Sequence, residues 1–498
     1  MSKTQPRSGS SLHRSLSVWG ALGLSVALLG PSMAANINPQ APAGHVGRAV
    51  PLVFLLSTIA VLLVAYAFIR LCQHFSHAGS VYGFVSATLG PRSGFVAGWL
   101  LLGTYIAFTV TTLAGSSLFL TTFLKSMGAL GQANWLLPAA VAFVGVWYLA
   151  SRPTRLATRV LLFVEVLTMV LILVVALIVL INLAAHHAPA GQRLSTSIFT
   201  LPKGVGLSGV FFAMTFGFLS FAGFEAAATL GEETINPRRA IPLALFGSVV
   251  LAGVFFFIAT SAESLGFGTD TKGVAAFIGS GSLMGDLGRT YVSSWLGDTV
   301  TLGAGISAFG SALACAVGAS RLLFAMGRDG FLHPRLGQAR KRDGVPTTAL
   351  GAVLSVTVIA ILAMRIFATS SVTDVFFWSA TIGSLALLVA YMIGLTGAIR
   401  FLFFTTPRKA PAIEIVIPLA GLALVGYTIY NNVHPVPAAP YNAFPYAVAA
   451  WLLVGLILVV SLPGLASRIG QQFATDRGEL SPGSTEPLLG EAAREPRA

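Results

Sequence analysis

The sequence predicts an all-α integral membrane protein with twelve transmembrane helices, and three observations lead to that prediction. The chain of 498 residues is 55% hydrophobic and only 9% charged, whereas soluble domains carry about 25% charged residues. Twelve apolar runs are close to the length of about 20 residues that crosses a bilayer. The basic residues between these runs alternate in density, which is typical of loops on opposite sides of a membrane.

The twelve runs follow one another with short polar loops between them. Their boundaries are approximate because the fourth run is short and the third and eighth are long. They cover residues 17–37, 51–71, 93–124, 135–150, 159–184, 208–230, 241–265, 295–325, 347–368, 374–400, 413–431 and 443–463.

Basic residues set the expected orientation. With the N-terminus inside, roughly three in four of the 30 lysines and arginines fall in inner loops and tails, which is the positive-inside pattern. Both termini are therefore predicted to be cytoplasmic in a multi-pass protein of the cell membrane. Arg14, the apolar run after it and the small residues near Ala34 also resemble a cleavable signal peptide. Cleavage would remove the first run and disturb the charge balance, so we keep that run as helix 1.

Other classes of function find little support. The net charge of +13 is spread over the loops rather than set in a basic stripe with aromatic residues, so nucleic acid is not an expected partner. Cys72 and Cys315 lie far apart and are expected to be small packing residues. No histidine pair has metal-ligand spacing beside an acidic residue, and no catalytic motif is present. We expect no enzymatic activity, metal or cofactor.

The first and sixth runs each contain a point at which a helix should break. Pro31 lacks an N–H and clashes with the carbonyl four residues before it, and Gly30 destabilises the helix further. A second weak point lies at Ser220–Gly223, five helices later. Paired breaks in corresponding halves indicate inverted repeats with a small solute bound between them. A proline kink with nothing bound is the alternative interpretation of the first break.

This pairing divides the chain into segments. A ten-helix core spans residues 17–402, with repeats at about 17–184 and 208–402. Helices 11 and 12 lie at the periphery, in residues 403–464. The ends are rich in Ser, Gly, Pro and charge, which leaves too little apolar surface to fold. They are predicted to be cytoplasmic tails, the second one disordered: residues 1–16 and 465–498.

Four stretches resemble signatures of the amino acid–polyamine–organocation (APC) superfamily of permeases. The longest, Phe211–Pro242, contains Phe-Ala-Gly-Phe-Glu and then Glu-Glu-Thr-Ile-Asn-Pro-Arg-Arg; the others are His77–Trp99, Ser320–Pro346 and Tyr391–Leu402. The resemblance implies a LeuT-like five-plus-five inverted repeat with helices 1 and 6 broken. It also implies a secondary active transporter that moves amino acids or related amines by alternating access.

By the same resemblance, the two breaks form the substrate site. Gly30 and Ser32 would hold a carboxylate through free amides, aided by the helix dipole. The carbonyl groups of the sixth helix would hold the ammonium, at Phe221, Ala222 and Gly223.

Two aromatic residues and one departure from the family pattern complete this expectation. Phe224 would act as a gate, and Tyr105 in helix 3 either faces the substrate or packs between helices. Pro31 deletes one of the amides that a carboxylate would use. Either the Ser32 hydroxyl compensates, or the substrate is not a standard α-amino acid.

Charged residues near the breaks are candidates for coupling and gating. Glu165 lies in helix 5 where some proton-coupled relatives carry a lysine, so it is either a proton-coupling group or a hydrogen-bonded structural carboxyl. Glu225 is expected to brace the break in helix 6 by accepting freed N–H groups. The turn after it carries residues expected to form inner-gate salt bridges or a solvated turn: Glu232, Glu233, Arg238 and Arg239.

The expected partners are a small-molecule substrate, protons and the lipid bilayer, with exchange as the alternative to proton coupling. Two other functions stay open. One is a nutrient sensor that keeps the fold without transport, and the other is a transporter of a non-amino-acid organic solute. A channel is disfavoured because helices 3, 5, 8 and 10 show no ring of charge.

Overall fold

In the part of the chain that the structure describes, the long regular elements are helices, as the sequence predicts. The structure is a computed structural model that describes residues 18–75, 81–128, 134–152, 155–225, 228, 234, 236–328, 330–340, 342–368 and 370–461. The two predicted tails therefore lie outside the described residues. The helices are α1 (Val18–Leu28), α2 (Pro31–Ile37), α3 (Gln40–Val46), α4 (Val50–His74), α5 (Val81–Leu89), α6 (Pro91–Ser126), α7 (Leu136–Ala150), α8 (Arg155–Ala184), α9 (Leu207–Phe221), α10 (Pro237–Phe267), α11 (Thr271–Ile278), α12 (Leu283–Tyr291), α13 (Ser294–Arg328), α14 (Thr347–Phe367), α15 (Val372–Phe403), α16 (Val416–Asn431) and α17 (Phe444–Ser461).

Many of these helices have the length and composition of membrane spans. Within the described ranges, nine helical stretches are long and apolar enough to cross a bilayer, and α7 and α9 are shorter apolar helices. Large apolar side chains on their outer surfaces are well exposed, among them Phe163, Ile359 and Val460. Exposed apolar surface of this extent marks contact with lipid or with other protein.

The helices pack in two groups, one around α6 and the other around α10. One group centres on α6, which packs most extensively against α13 and α15 and is covered by α7 and α14. The other centres on α10, which packs against α4 and α1, while α9 joins through α4. The short helix α2 lies against α13 of the first group and α10 of the second, and also against α8 and α12. It therefore sits where the two groups meet.

Glycines allow helices to approach closely at several of these contacts. A Cβ on Gly217 of α9 would lie 2.0 Å from Ser57 Oγ of α4, and one on Gly303 of α13 would lie 2.3 Å from Thr168 Oγ1 of α8. Small residues at helix contacts are typical of membrane proteins, because packing rather than water exclusion holds the helices together.

A pair of tryptophans fastens α17 to α6. The Trp99 and Trp451 rings stack with centroids 4.5 Å apart, and each indole N–H donates to the other residue's carbonyl at 2.8 Å. Each ring also covers a glycine four residues after its partner: a Cβ on Gly103 or Gly455 would come within 2.5 Å of the facing indole. Two Trp-x-x-x-Gly segments thus interlock reciprocally.

The first predicted span is interrupted between Leu28 and Pro31. Gly30 is the N-cap of α2, with φ 59° and ψ 48° in the left-handed region, which glycine adopts without a Cβ penalty. Proline is suited to the first position of a helix, because its missing N–H would have no helical partner there. Two consecutive residues, Gly30 and Pro31, therefore account for this break.

The sixth predicted span is interrupted at Ala222 and Gly223. Helix α9 ends at Phe221, Ala222 is extended with φ −61° and ψ 129°, and Gly223 has a φ of 104°. The amide of Gly223 is thereby released from the helix. Most of the turn that follows, including Glu232 and Glu233, lies outside the described residues.

Candidate functional site

A buried carboxyl occupies the opened end of α2. The Glu165 residue of α8 is 4% exposed, and its Oε1 accepts the Ser32 N–H at 2.8 Å. The Ser32 hydroxyl donates to the Glu165 carbonyl at 3.5 Å, and the Ser307 hydroxyl also hydrogen-bonds to the Glu165 side chain. Burying a carboxylate is costly unless hydrogen bonds compensate. Glu165 has such donors, and α2 gains a cap.

Ser307 of α13 supplies a second cap. Its hydroxyl accepts the Met33 N–H at 3.2 Å. Protein groups therefore bind both of the first amides that follow Pro31, which has none of its own. In this conformation Ser32 lies at the break, as predicted, but its amide is directed to Glu165 and is not available to a carboxylate.

Gly30 is enclosed by α13. It is buried, and a Cβ at this position would lie 2.4 Å from Ser311 Oγ and 3.6 Å from Ser307 Oγ. No side chain can be added here without displacing α13 or Ser311. The residue predicted for the substrate site thus also sets how closely the first break approaches α13.

A second buried carboxyl holds the break after α9. Glu225 is 4% exposed, and its Oε2 accepts the Gly223 N–H at 3.1 Å and the Tyr391 hydroxyl at 2.8 Å. The amide released at the break is therefore satisfied two residues further along the chain. Tyr391 belongs to α15, so the same carboxyl ties the break to the other group of helices.

Phe224, the residue after Gly223, packs in an aromatic cluster. Its ring centroid lies 6.1 Å from that of Phe68 and 5.9 Å from that of Tyr391, both edge to face. On the other side of the break, Phe221 contacts Phe256 of α10 edge to face. Phe221 and Phe224 are buried, whereas Ala222 and Gly223 between them keep partial exposure. The gating role of Phe224 stays a prediction.

Tyr105 of α6 lies near this break and is only partly buried. It lies deep in the bundle but keeps part of its surface accessible, as does Cys315 of α13. A Cβ on Gly318 would lie 3.7 Å from the Tyr105 ring, and Glu225 is close enough to act electrostatically on both Tyr105 and Cys315. Whether Tyr105 faces the substrate or packs between helices stays a prediction. Cys315 is packed against the apolar core, as expected.

Two asparagines that the sequence interpretation did not single out organise the surroundings of α2. The Asn38 Nδ2 donates to Ser220 Oγ at 2.8 Å, which joins the end of α2 to the last turn of α9. The Asn36 Nδ2 donates to the Ser32 carbonyl at 2.8 Å. Both are fully buried polar residues in an apolar run, and that pattern is the signal that would have identified them.

Asn36 also binds the start of α12. Its Oδ1 accepts the Ser282 hydroxyl at 2.8 Å and the amides of Met284 and Gly285 at 3.1 and 3.3 Å. One side chain thereby links the first break to the α11–α12 segment, which follows α10. Sequence periodicity carries no information about this link, because the partners are far apart along the chain.

The other predicted site residues lie away from this centre. Arg238 and Arg239 are exposed in the first turn of α10, and their predicted partners are outside the described part of the chain. Within the described ranges, no group of three or more His, Cys, Asp or Glu side chains is placed to hold a metal ion.

An apolar bundle that encloses polar groups at two broken helices is the architecture of a secondary transporter. The family model described as amino acid permease matches residues 33–476. The chain belongs to this family, whose members are transporters of amino acids and amines.

Individual relatives are distant. The chain is 25% identical over 358 residues to the branched-chain amino acid permease BcaP of Bacillus subtilis, covering 68% of this chain and 72% of that protein. It is 26% identical over 309 residues to the low-affinity putrescine importer PlaP of Escherichia coli, covering 59% and 63%. Among solved structures, a manganese transporter of Eremococcus coleocola matches with a TM-score of 0.57 and 13% identity, over 93% of this chain and 99% of that one. At this identity the match shows the fold alone.

Proposed function

We propose that the chain is a secondary active transporter that moves an amino acid or a related amine across the cytoplasmic membrane by alternating access. Twelve helices would cross the membrane in a LeuT-like arrangement of two inverted repeats, with both termini cytoplasmic. The family match supports the transport activity, and the shared fold supports the helical arrangement.

One observation carries this proposal: at each break, a released amide is bound by a buried glutamate. Ser32 N–H donates to Glu165, and Gly223 N–H donates to Glu225. Unpaired backbone is tolerated inside a membrane only where protein or an enclosed cavity satisfies it. A solute or a change in protonation can replace these bonds, so both breaks are places where binding alters helix contacts.

The proposed substrate site lies between the two breaks, with Tyr105 beside it. The residues of the first break are Gly30 and Ser32, and those of the second are Phe221, Ala222 and Gly223. Phe224 would close the site toward the cytoplasm. The inner gate below it would consist of Glu225 and the charged turn with Glu232, Glu233, Arg238 and Arg239.

Glu165 is the proposed proton-coupling residue. When ionised, its carboxylate accepts from the Ser32 N–H and the Ser307 hydroxyl. Protonation removes the charge and weakens these charge-assisted hydrogen bonds. The hydrogen bonds between α8 and α2 are therefore stronger when Glu165 is ionised than when it is protonated. This difference links proton binding to movement at the first break. Exchange of one substrate for another is the alternative to this coupling.

A specific observation favours amines without an α-carboxylate as a second candidate substrate class. The amides of Ser32 and Met33 are occupied by Glu165 and Ser307, and Pro31 has no amide. A substrate carboxylate would have to displace one of these bonds. A diamine such as putrescine, which the E. coli relative imports, needs no such displacement.

The proposal is tested with purified full-length protein in proteoliposomes. We expect uptake of labelled L-leucine or putrescine that is stimulated by an inward proton gradient, together with counterflow of the same compound. Counterflow without stimulation would indicate an exchanger. Thermal stabilisation by an amino acid without any flux would support a non-transporting sensor, and no response to amino acids or amines would contradict the proposed substrate class.

A further inference from the structure

Helix α10 carries a third buried carboxyl, Glu263, which none of the sites above uses. Glu263 has no exposed surface, and neither of its side-chain oxygens has a hydrogen-bond partner among the described residues. The hydroxyls of Ser261 and Ser264, in the same turn, are also unpartnered in the described chain. Glu165 and Glu225 accept backbone amides, so Glu263 differs from them in having no donor among the residues that the structure describes.

The face of α10 that carries Glu263 packs against apolar side chains of other helices. Phe256, two turns before it, packs against Phe54 and Phe221. Gly266, one turn after it, is covered by Leu287 and Val179, whose side chains would lie about 3 Å from an added Cβ. Residues at these spacings share one face. The carboxyl therefore lies between apolar groups of α4, α8, α9 and α12.

The helices that pack against α10 supply no charged or titratable partner for Glu263 among the described residues. Each such group is bound to another group, exposed to solvent or far from Glu263. Helices α1 and α2 carry none. Glu165 of α8 lies fourteen residues before Val179, which is about 21 Å along a helix, and the titratable groups of α4 lie at its far end, from Tyr66 onward. At the near end, Lys272 of α11 is exposed. The others are held by hydrogen bonds: Arg48 to the Ser197 carbonyl, Arg289 to Asp286 and Asp298, and Tyr291 to the Gly266 carbonyl.

We propose that Glu263 is a proton-binding site in the outer half of the bundle. An ionised carboxylate without a hydrogen-bond donor or a counter-charge is far more costly to bury than a neutral carboxylic acid. The carboxyl has no accessible surface, so a substrate ammonium cannot reach it in this conformation. A metal ion needs several ligands, and the described residues place none beside it. The proton is the one ligand that fits.

The same geometry links this proton to the opening of the outer side. In the proposed orientation Glu263 lies near the outer end of α10, beneath Gly266. The Gly266 carbonyl accepts hydrogen bonds from Gln192 Nε2 at 3.2 Å and from the Tyr291 hydroxyl at 3.0 Å. These bonds hold the loop that contains Gln192 and the end of α12, together called the outer segment, over the C-terminal end of α10. When this segment parts, water reaches the carboxyl, takes its proton as hydronium and solvates the carboxylate. Closure then requires a proton from the outer solution, which restores the neutral acid. This second step rests on the proposed transport function.

The protonation itself is tested without any substrate. The infrared difference spectrum of wild type minus Glu263→Gln, recorded on purified protein in nanodiscs at neutral pH, should contain a carboxylic-acid carbonyl band, because the other buried carboxyls, Glu165 and Glu225, cancel in the subtraction. Glu414→Gln is the control: Glu414 is ion-paired with Arg70, so the spectrum of wild type minus Glu414→Gln should lack this band. If Glu263→Gln does not fold, Glu263→Met replaces the carboxyl by an apolar side chain of similar size. A difference spectrum of wild type minus the folded variant that lacks this band would overturn the proposal.

The release of the proton is tested by exchange of labelled putrescine or L-leucine in proteoliposomes, with the pH equal on both sides. Wild-type exchange should slow as the pH rises, because closure requires the neutral acid, and Glu263→Gln should lose this dependence. If the infrared band is lost in Glu263→Gln but both proteins show the same pH profile, Glu263 holds a static proton and the release step is wrong. Absence of exchange in wild type would contradict the proposed function and leave the infrared result standing.

Discussion

Glu165 shows how one side chain can serve the structure and still be available for coupling. It replaces the helical hydrogen bond that Ser32 loses at the break, and it does so from a different helix, 133 residues away. A glutamine at this position keeps an oxygen that can accept the same N–H but cannot carry the charge. The two roles that the sequence left open, proton carrier and structural carboxyl, can therefore be separated by one substitution.

We expect Glu165→Gln to fold, to bind substrate and to lose the response of uptake to a proton gradient. The loss of stability should be about 1 kcal/mol, since a charge-assisted hydrogen bond becomes a neutral one. Glu165→Ala is the contrasting variant: it leaves the buried Ser32 amide unpaired and should cost roughly 1–3 kcal/mol. Uptake assays across imposed gradients and thermal unfolding measure the two effects. If Glu165→Gln follows the gradient as wild type does, the coupling proton binds elsewhere.

At the scale of the element, the two broken helices reach similar ends by different local means. The first break uses a left-handed glycine followed by proline, so its position follows from covalent chemistry. The second uses Gly223 with φ 104° after an extended Ala222. Each break depends on a conformation that favours glycine, and each needs a carboxyl to bind the amide that it releases.

Gly223→Leu should abolish substrate binding while the protein still inserts and folds, because leucine is compatible with lipid but would fill the proposed site. The left-handed φ adds strain of about 1–3 kcal/mol for any side chain. Gly204→Leu is the matched control for this strain: Gly204 has a φ of 87° in an exposed turn, with nothing within 4 Å of an added Cβ. Binding by thermal shift and transport are the measurements. Normal transport by Gly223→Leu would place the substrate elsewhere, and equal losses in both variants would assign the effect to strain.

At the scale of the whole molecule, the positive-inside distribution and the packing of α1 make one connected prediction. Helix α1 packs against α10, where a Cβ on Gly247 would meet Leu22 at 2.9 Å. Reporter fusions after Arg342 and after Gln471 should be cytoplasmic, and a fusion after His187 should lie on the opposite side. Mass spectrometry should find the N-terminal segment intact. A mature chain that begins near Ala35 would lack α1 and Gly30. The first break would then be missing, and the proposed site between two breaks could not exist.

The sequence by itself determined the membrane class, the family and the positions of both breaks. These properties depend on composition or on a few consecutive residues, such as Gly30 and Pro31, whose backbone chemistry acts locally. It also contained a signal for Glu263, an ionisable residue inside an apolar run, that our sequence interpretation did not use.

Only the tertiary structure decided the partners of the freed groups. Which carboxyl binds Ser32, which segment Asn36 holds and which carboxyl stays unpartnered all depend on helices brought together from distant parts of the chain. Hydrophobic periodicity specifies that a helix is buried, but many rotations and neighbours satisfy it equally well in a uniformly apolar bundle. Close packing at glycines and a small number of buried hydrogen bonds select one arrangement among them.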